Sequence, residues 1–269
     1  MEQKVFETPK GNIVYWISKV NEEKPWLIFL PGLTADHRLF DKQVEFFEGT
    51  YNLFVWDAPA HALSRPFDLN YTLEEKTAWL ADILNLEGIT KPILVGQSMG
   101  GYVSQMFIEL YPGVASGFIS IDSAPLKRVY YPNWEVKFLY KTKGMYMSIP
   151  WSLLKKWGTA GTTVTPYGRS LMSAFMADYT KEEYCSLADA GYNMLARAID
   201  ARRPYQIDCP CILICGKKDM AGDVKVFNRR WEKGDNLKLY WIEGAGHNSN
   251  TDRPEEVNAL ISSFVEEIS

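Results

Sequence analysis

Four short apolar runs constrain what this chain can fold into: WLIFLP (26–31), YNLFVWD (51–57), PILVG (92–96) and GFISID (117–122). Each has the length of a strand and is apolar at consecutive positions, the pattern of a strand buried on both faces. Such strands need helices on either side, and helical patterns lie between them. Thr72 and Glu75, for example, form a capping box ahead of Leu73, Leu80, Ile83 and Leu84. Upstream, KVFETPKGNIVYWIS predicts a hairpin that turns at Pro9, Lys10, Gly11 and Asn12. The alternation predicts an α/β fold with a mostly parallel central sheet and helices on both faces.

After the sixth of these strands the pattern stops. Residues 125–193 contain no strand-like run, and aromatic residues and methionines accumulate there, Tyr130, Trp134, Phe138, Met145, Tyr146, Met147, Trp151 and Trp157 among them. A second capping box, Thr180 with Glu183, lies near the end of this stretch, while GTAGTTVTPYG (158–168) reads as turn-rich or mobile. A structureless stretch of this length is improbable in a compact domain, so the region is expected to be a helical insertion. The α/β pattern resumes with CILICG (211–216) and LKLYWIEG (237–244). A final helix follows Pro254, with Val257, Leu260, Ile261, Phe264, Val265 and Ile268 along one stripe. The expected organisation is a core of residues 1–124 and 194–269 and a helical cap of residues 125–193.

Bulk properties narrow the function classes. A net charge of -4 and the absence of any block rich in both lysine and arginine argue against binding a phosphate backbone. No run approaches a membrane span and the first residues lack the apolar core of a signal peptide, so a cytoplasmic location is expected. Cys185, Cys209, Cys211 and Cys215 read as reduced thiols used in packing, because no further donors stand at metal-ligand spacing. The three histidines are dispersed and no glycine-rich fingerprint opens the first βα unit, so neither metal nor cofactor is expected. Oligomeric state is not legible.

The chemistry concentrates in ILVGQSMGGYVSQM (93–106). Gly96-Gln97-Ser98-Met99-Gly100 matches G-x-S-x-G between a strand and a helix, the setting in which a serine projects from a sharp turn. A serine hydroxyl needs a base to take its proton. Of His37, His61 and His247 only His247 follows Ser98, in the small-residue loop EGAGHNSN. The base needs an orienting carboxylate, and Asp219 stands just beyond the strand 211–216, with Asp223 and Asp122 as alternatives. The order Ser98, Asp219, His247 is the one this motif calls for.

With these motifs in view the sequence resembles the α/β-hydrolase superfamily, specifically a serine esterase-like member with a helical cap, along essentially its whole length. FLPGLTADHRLF (29–40) is similar to the family's strand and oxyanion loop, with Pro31 in place of the usual histidine and Gly32 retained. WDAPAHALS (56–64) is similar to Asp-x-Pro-Gly-His-Gly-x-Ser, keeping Asp57, Pro59, His61 and Ser64 but with Ala60 and Ala62 for the glycines. The resemblance implies that the backbone N–H groups of Leu33 and Met99 form an oxyanion hole and that His61 is structural. It also implies acyl transfer to water through an acyl-enzyme on Ser98. Serine at the elbow argues against the dehalogenases and epoxide hydrolases of the superfamily, and methionine after it argues against its proline iminopeptidases.

The expected activity is hydrolysis of a carboxylic ester, thioester or lactone of a small or medium, mainly apolar, substrate. Met145, Tyr146 and Trp151 are the candidate pocket residues of the cap. Two alternatives stay open: a carbon–carbon bond hydrolase of the same fold, and a ligand-binding receptor with a vestigial triad. The expected partner is a small acyl substrate, with no nucleic acid and no membrane span.

Overall fold

The computed structural model describes residues 1–269. An antiparallel hairpin opens the chain, β1 (Glu2–Thr8) paired with β2 (Gly11–Ser18). Strands and helices then alternate through β3 (Trp26–Leu30), α1 (Asp41–Phe47), β4 (Asn52–Trp56), α2 (Leu73–Leu86), β5 (Ile93–Gln97), α3 (Met99–Leu110) and β6 (Gly117–Ile121). Helices α4 (Asn133–Leu139), α5 (Thr142–Ser148), α6 (Trp151–Thr162), α7 (Pro166–Ala177) and α8 (Lys181–Asp200) follow with no strand between them. The chain returns to the sheet with β7 (Cys211–Gly216), α9 (Val224–Asp235) and β8 (Lys238–Ile242). It ends with α10 (Ser249–Asp252) and α11 (Pro254–Ile268).

The eight strands form one sheet in the order β1-β2-β4-β3-β5-β6-β7-β8. The β1–β2 and β2–β4 pairs are antiparallel and all others are parallel. From β3 the chain moves outward to β4 and then crosses back to β5 on the other side. That reversal leaves a crevice at the carboxyl ends of β3 and β5, where open α/β sheets bind ligands.

Successive side chains on a strand point to opposite faces, and both faces here are covered. Leu27 and Phe29 of β3 join Ile93 and Val95 of β5 in one core, closed by Phe47 of α1 and Val257, Ile261 and Phe264 of α11. Ile28 and Leu30 join Leu94 in the other, closed by Leu80 and Ile83 of α2, Val103 and Met106 of α3 and Trp231 of α9. A fully buried side chain of this size contributes about 1.5–3 kcal/mol, so the consecutive apolar runs are what hold the layers together. Both capping boxes form. Thr72 accepts from the Glu75 N–H and Thr180 from the Glu183 N–H, while each glutamate accepts from its cap residue's N–H. No helix is long and apolar enough to cross a membrane.

The turn-rich expectation for 158–168 is corrected: only 163–165 interrupts helix, between α6 and α7. Thr165 caps α7 by accepting from the Gly168 N–H, with Pro166 beginning the helix. A Cβ on Gly158 would lie 3.1 Å from Met176 Sδ, in the flexible part of that side chain.

Candidate active site

The site grows from the turn between β5 and α3. Ser98 sits at φ 49°, ψ -114°, outside the helix that begins at Met99. That positive φ lets the chain reverse at once, and the reversal brings backbones together. A Cβ on Gly96 would lie 2.5 Å from the Gly100 carbonyl, and one on Gly100 would overlap the Leu30 carbonyl oxygen of β3. The Ser98 N–H donates to Ile121 O at 2.9 Å, and the Ser123 hydroxyl donates to Ser98 O at 2.7 Å. The strained residue is therefore held by the last residue of β6 and by Ser123, two residues beyond it.

His247 follows β8 in the loop that leads to α10. Its Nε2 lies 2.9 Å from Ser98 Oγ, and its Nδ1 lies 2.9 Å from Asp219 Oδ2. Gln97 Nε2 donates to the His247 carbonyl at 2.8 Å and steadies the loop from the β5 side. Asp219 is 2 % exposed, and its other oxygen accepts the Ala221 N–H at 2.8 Å. The structure thus joins Ser98, His247 and Asp219 in one hydrogen-bonded chain. Burial opposes charge on the His247 ring, but the charge and hydrogen bond of Asp219, with Asp122 behind them, outweigh it and raise its pKa above 6.5.

That balance makes a direct prediction. NMR titration should show the His247 ring protonating at a pH above 6.5, and Asp219→Asn should bring the midpoint down. The resonance would be assigned by its loss in His247→Gln. An unchanged midpoint in Asp219→Asn would contradict the pairing.

The two alternative acids have other partners. Asp223 precedes α9 and makes no hydrogen bond or ion pair with His247, while its backbone carbonyl accepts the Phe227 N–H. Asp122, fully buried at the end of β6, accepts from the Gly216 N–H at 2.7 Å and from the Ser249 N–H and hydroxyl at 2.8 and 2.5 Å. It therefore ties the loop carrying Asp219 to the loop carrying His247. Burial and the Asp219 charge push the Asp122 pKa up, and the Ser249 and Gly216 donors oppose the rise.

Asp252 of α10 holds a larger network. It accepts from the Gly246 N–H at 2.8 Å, from the Thr163 and Thr165 hydroxyls at 2.5 and 2.7 Å, and from the Val164 and Thr165 N–H groups. Reading the sequence alone missed this carboxylate, because its donors come from a segment some 90 residues away.

Leu33 lies in the loop after β3, and its N–H donates to no protein acceptor. Met99 is the first residue of α3, where an N–H has no intrahelical acceptor and the helix dipole is positive. The sequence expects these two donors; Leu33 lines the cavity beside Ser98, and Met99 directly follows Ser98. Gly191 of α8 faces Leu33, whose Cδ1 would lie 2.5 Å from a Cβ there.

A cavity of about 120 Å³ opens beside Ser98 and His247. From the helical segment it is lined by Tyr146 of α5, Met172 of α7 and Tyr184, Ala188 and Tyr192 of α8. Of the three pocket candidates only Tyr146 is brought there. Met145, one position earlier and about 100° round the helix, is exposed. Trp151 packs on Tyr184 instead, with ring centroids 5.4 Å apart. Tyr184, Ala188 and Tyr192 recur every four residues on one helix face, a periodicity visible in the sequence.

The other histidines lie apart from this chain. His61 is buried, its Nδ1 donates to Pro59 O at 2.9 Å, and burial with Lys76 pushes its pKa down to about 3. Its loop keeps the backbone that glycines would favour, with Ala60 at φ 70° and Ala62 at φ 38°. His37 pairs with Asp57 at 2.8 Å and stacks on Trp16. Two clusters bring three potential metal-ligand atoms within 4.8 Å, Asp36–His37–Asp57 and Asp122–Cys215–Asp219. Their carboxylates already accept protein donors, Arg38 on Asp36 and His247 on Asp219 among them.

A model of the alpha/beta hydrolase family matches residues 27–260. The 3-oxoadipate enol-lactonase 1 of Acinetobacter baylyi is 23% identical over 259 residues, covering 92% of this chain and 91% of its own. The enol-lactonase of Burkholderia xenovorans LB400 superposes with a TM-score of 0.77 at 16% identity, over 98% of this chain and 100% of its own. A structure from work on carboxylesterases of Nitrososphaera gargenis gives 0.76 at 14% identity, over 98% of both chains. At such identities the structural likeness speaks for the fold.

Proposed function

The chain belongs to the alpha/beta hydrolase family, and from that premise we propose that it is a serine hydrolase of carboxylic esters or lactones. The observation that carries the reading is the Asp219–His247–Ser98 chain, 2.9 Å at each link, at a strained turn over a cavity. Residues 125–193 are read as a cap on a core made of 1–124 and 194–269.

Ser98 Oγ attacks the carbonyl carbon while His247 Nε2 takes its proton, and Asp219 stabilises the imidazolium that forms. The negative charge moves to the carbonyl oxygen, which the N–H groups of Leu33 and Met99 receive. Each such donor contributes a rate factor of about 10²–10³. The intermediate collapses as His247 returns the proton to the leaving alkoxide, giving an acyl-enzyme. Water, deprotonated by His247, then attacks the acyl carbon; the acid leaves and Ser98 regains its proton.

The cavity bears on substrate size. At about 120 Å³ it is small beside the roughly 300–1,000 Å³ of ordinary ligand pockets. Apart from His247, the lining carries no lysine, arginine or other cationic side chain, so the acyl part is expected to be short and uncharged. With p-nitrophenyl esters, kcat/KM should peak at acetyl to butyryl and fall at least tenfold by octanoyl. A fluorophosphonate should label Ser98. No labelling of folded protein would favour a binding role, and turnover of vinylogous diketones without ester turnover would favour carbon–carbon hydrolysis.

A further inference from the structure

Charge along the chain is uneven. Residues 127–157 hold seven cationic side chains and one acidic one, although the whole chain has a net charge of -4. The remainder therefore carries ten more acidic than basic groups. Lys127 and Arg128 are paired, with Asp235 and Asp200. Lys137, Lys141, Lys143, Lys155 and Lys156 have no carboxylate partner, though Lys155 lies over the Trp151 ring.

The same stretch exposes large apolar side chains. Val129 is 82% exposed, Trp134 65% and Phe138 49%, with Met145 and Met147 also open to solvent. On α4, Trp134, Lys137, Phe138 and, just past its end, Lys141 recur at three- and four-residue spacing, so they share a face. Val136 is buried on the opposite side, and α4 and α5 both pack on α8. Their outer faces are left without a covering element. Aromatic and thioether side chains among lysines are the composition of a face that lies in a lipid headgroup layer.

We propose that the outer face of α4 and α5 is a docking surface for an anionic lipid bilayer. Trp134, Phe138, Met145 and Met147 enter the acyl boundary, and Lys137, Lys141 and Lys143 meet the lipid phosphates. Charge complementarity selects this occupant. Each lysine near an anionic surface gives about a fivefold gain in partitioning, while the acidic remainder is repelled and turns this face toward the membrane. Single-stranded nucleic acid offers the lysines phosphates and Trp134 and Phe138 bases to stack on, but nothing for Val129, Met145 and Met147. Tyr146 lines the cavity from α5, between Met145 and Met147 on the outside. A docked protein would thus have one wall of the Ser98 cavity in the lipid surface.

The surface does not depend on the hydrolase reading, because it can be tested with Ser98→Ala protein as well as the native chain. Co-sedimentation is measured with vesicles of phosphatidylcholine alone and with one-third phosphatidylglycerol. Binding is expected to the anionic vesicles only, and to be lost near 1 M salt, where the Debye length is about 3 Å. Lys137→Gln/Lys141→Gln/Lys143→Gln should weaken it roughly a hundredfold. Trp134→Ser/Phe138→Ser should abolish the component that survives moderate salt. Both variants should keep their melting temperature and their turnover of soluble esters. The proposal would be overturned by no binding at low salt, equal binding to both vesicle types, unchanged binding in the variants, or tighter binding to a single-stranded oligonucleotide. A dimer in sedimentation velocity that Trp134→Ser/Phe138→Ser dissolves would also overturn it, by assigning the face to a second copy.

Discussion

Ser98→Ala is expected to lower kcat/KM for p-nitrophenyl acetate by about 10⁴–10⁶ while leaving the fold intact, because only the hydroxyl at the tip of the elbow is lost. The His247 ring and Asp219 keep their own contact, and the turn retains its contacts with Ile121 and Ser123. Groups that act as one unit are not additive. The double variant Ser98→Ala/His247→Ala should therefore be scarcely worse than Ser98→Ala alone. Turnover in Ser98→Ala within tenfold of the native rate, on protein shown to be folded by its thermal transition, would remove Ser98 from the chemistry. A double variant a further thousandfold slower would mean that the two residues act independently.

Gly100→Ala should have the largest effect on stability, about 3 kcal/mol or more, lowering Tm by about 6–12 °C. The new Cβ would occupy the space of the Leu30 carbonyl oxygen and lie 2.6 Å from its carbon. Those are backbone atoms of the central strand β3, which cannot swing aside as a side chain can. Gly144→Ala is the matched control. It lies in α5 with nothing within 4 Å of its Cβ position, and alanine should be neutral there or stabilise by up to about 1 kcal/mol. Equal melting temperatures for the two variants would show that close approach at the elbow is not what Gly100 provides.

What could be read from the sequence was whatever is local. The consecutive apolar runs imply a sheet covered on both faces, and G-x-S-x-G between strand and helix implies a sharp turn at Ser98. The capping boxes at Thr72 and Thr180 are likewise complete within four residues. Selection among Asp122, Asp219 and Asp223 is a different kind of question, because all three follow the carboxyl ends of strands. Only the pairing of β6 with β7, and the direction in which each loop leaves the sheet, puts Asp219 on the imidazole and Asp122 on Ser249. The pocket was misread by helix phase: Met145 and Tyr146 are adjacent in sequence but differ by about 100° in direction. Glycine content misled at 158–168, where Gly158 and Gly161 lie inside α6 and Gly168 inside the first turn of α7.

Asp252 makes the His247 loop and one foot of the helical segment mechanically dependent on each other. The carboxylate that takes donors from Thr163, Val164 and Thr165 also takes the N–H of Gly246, the residue before His247. Lifting the α6–α7 junction would pull on that shared anchor and slacken the imidazole just as a substrate arrived. A displacement at that junction is therefore transmitted to the residue before His247 through a single carboxylate.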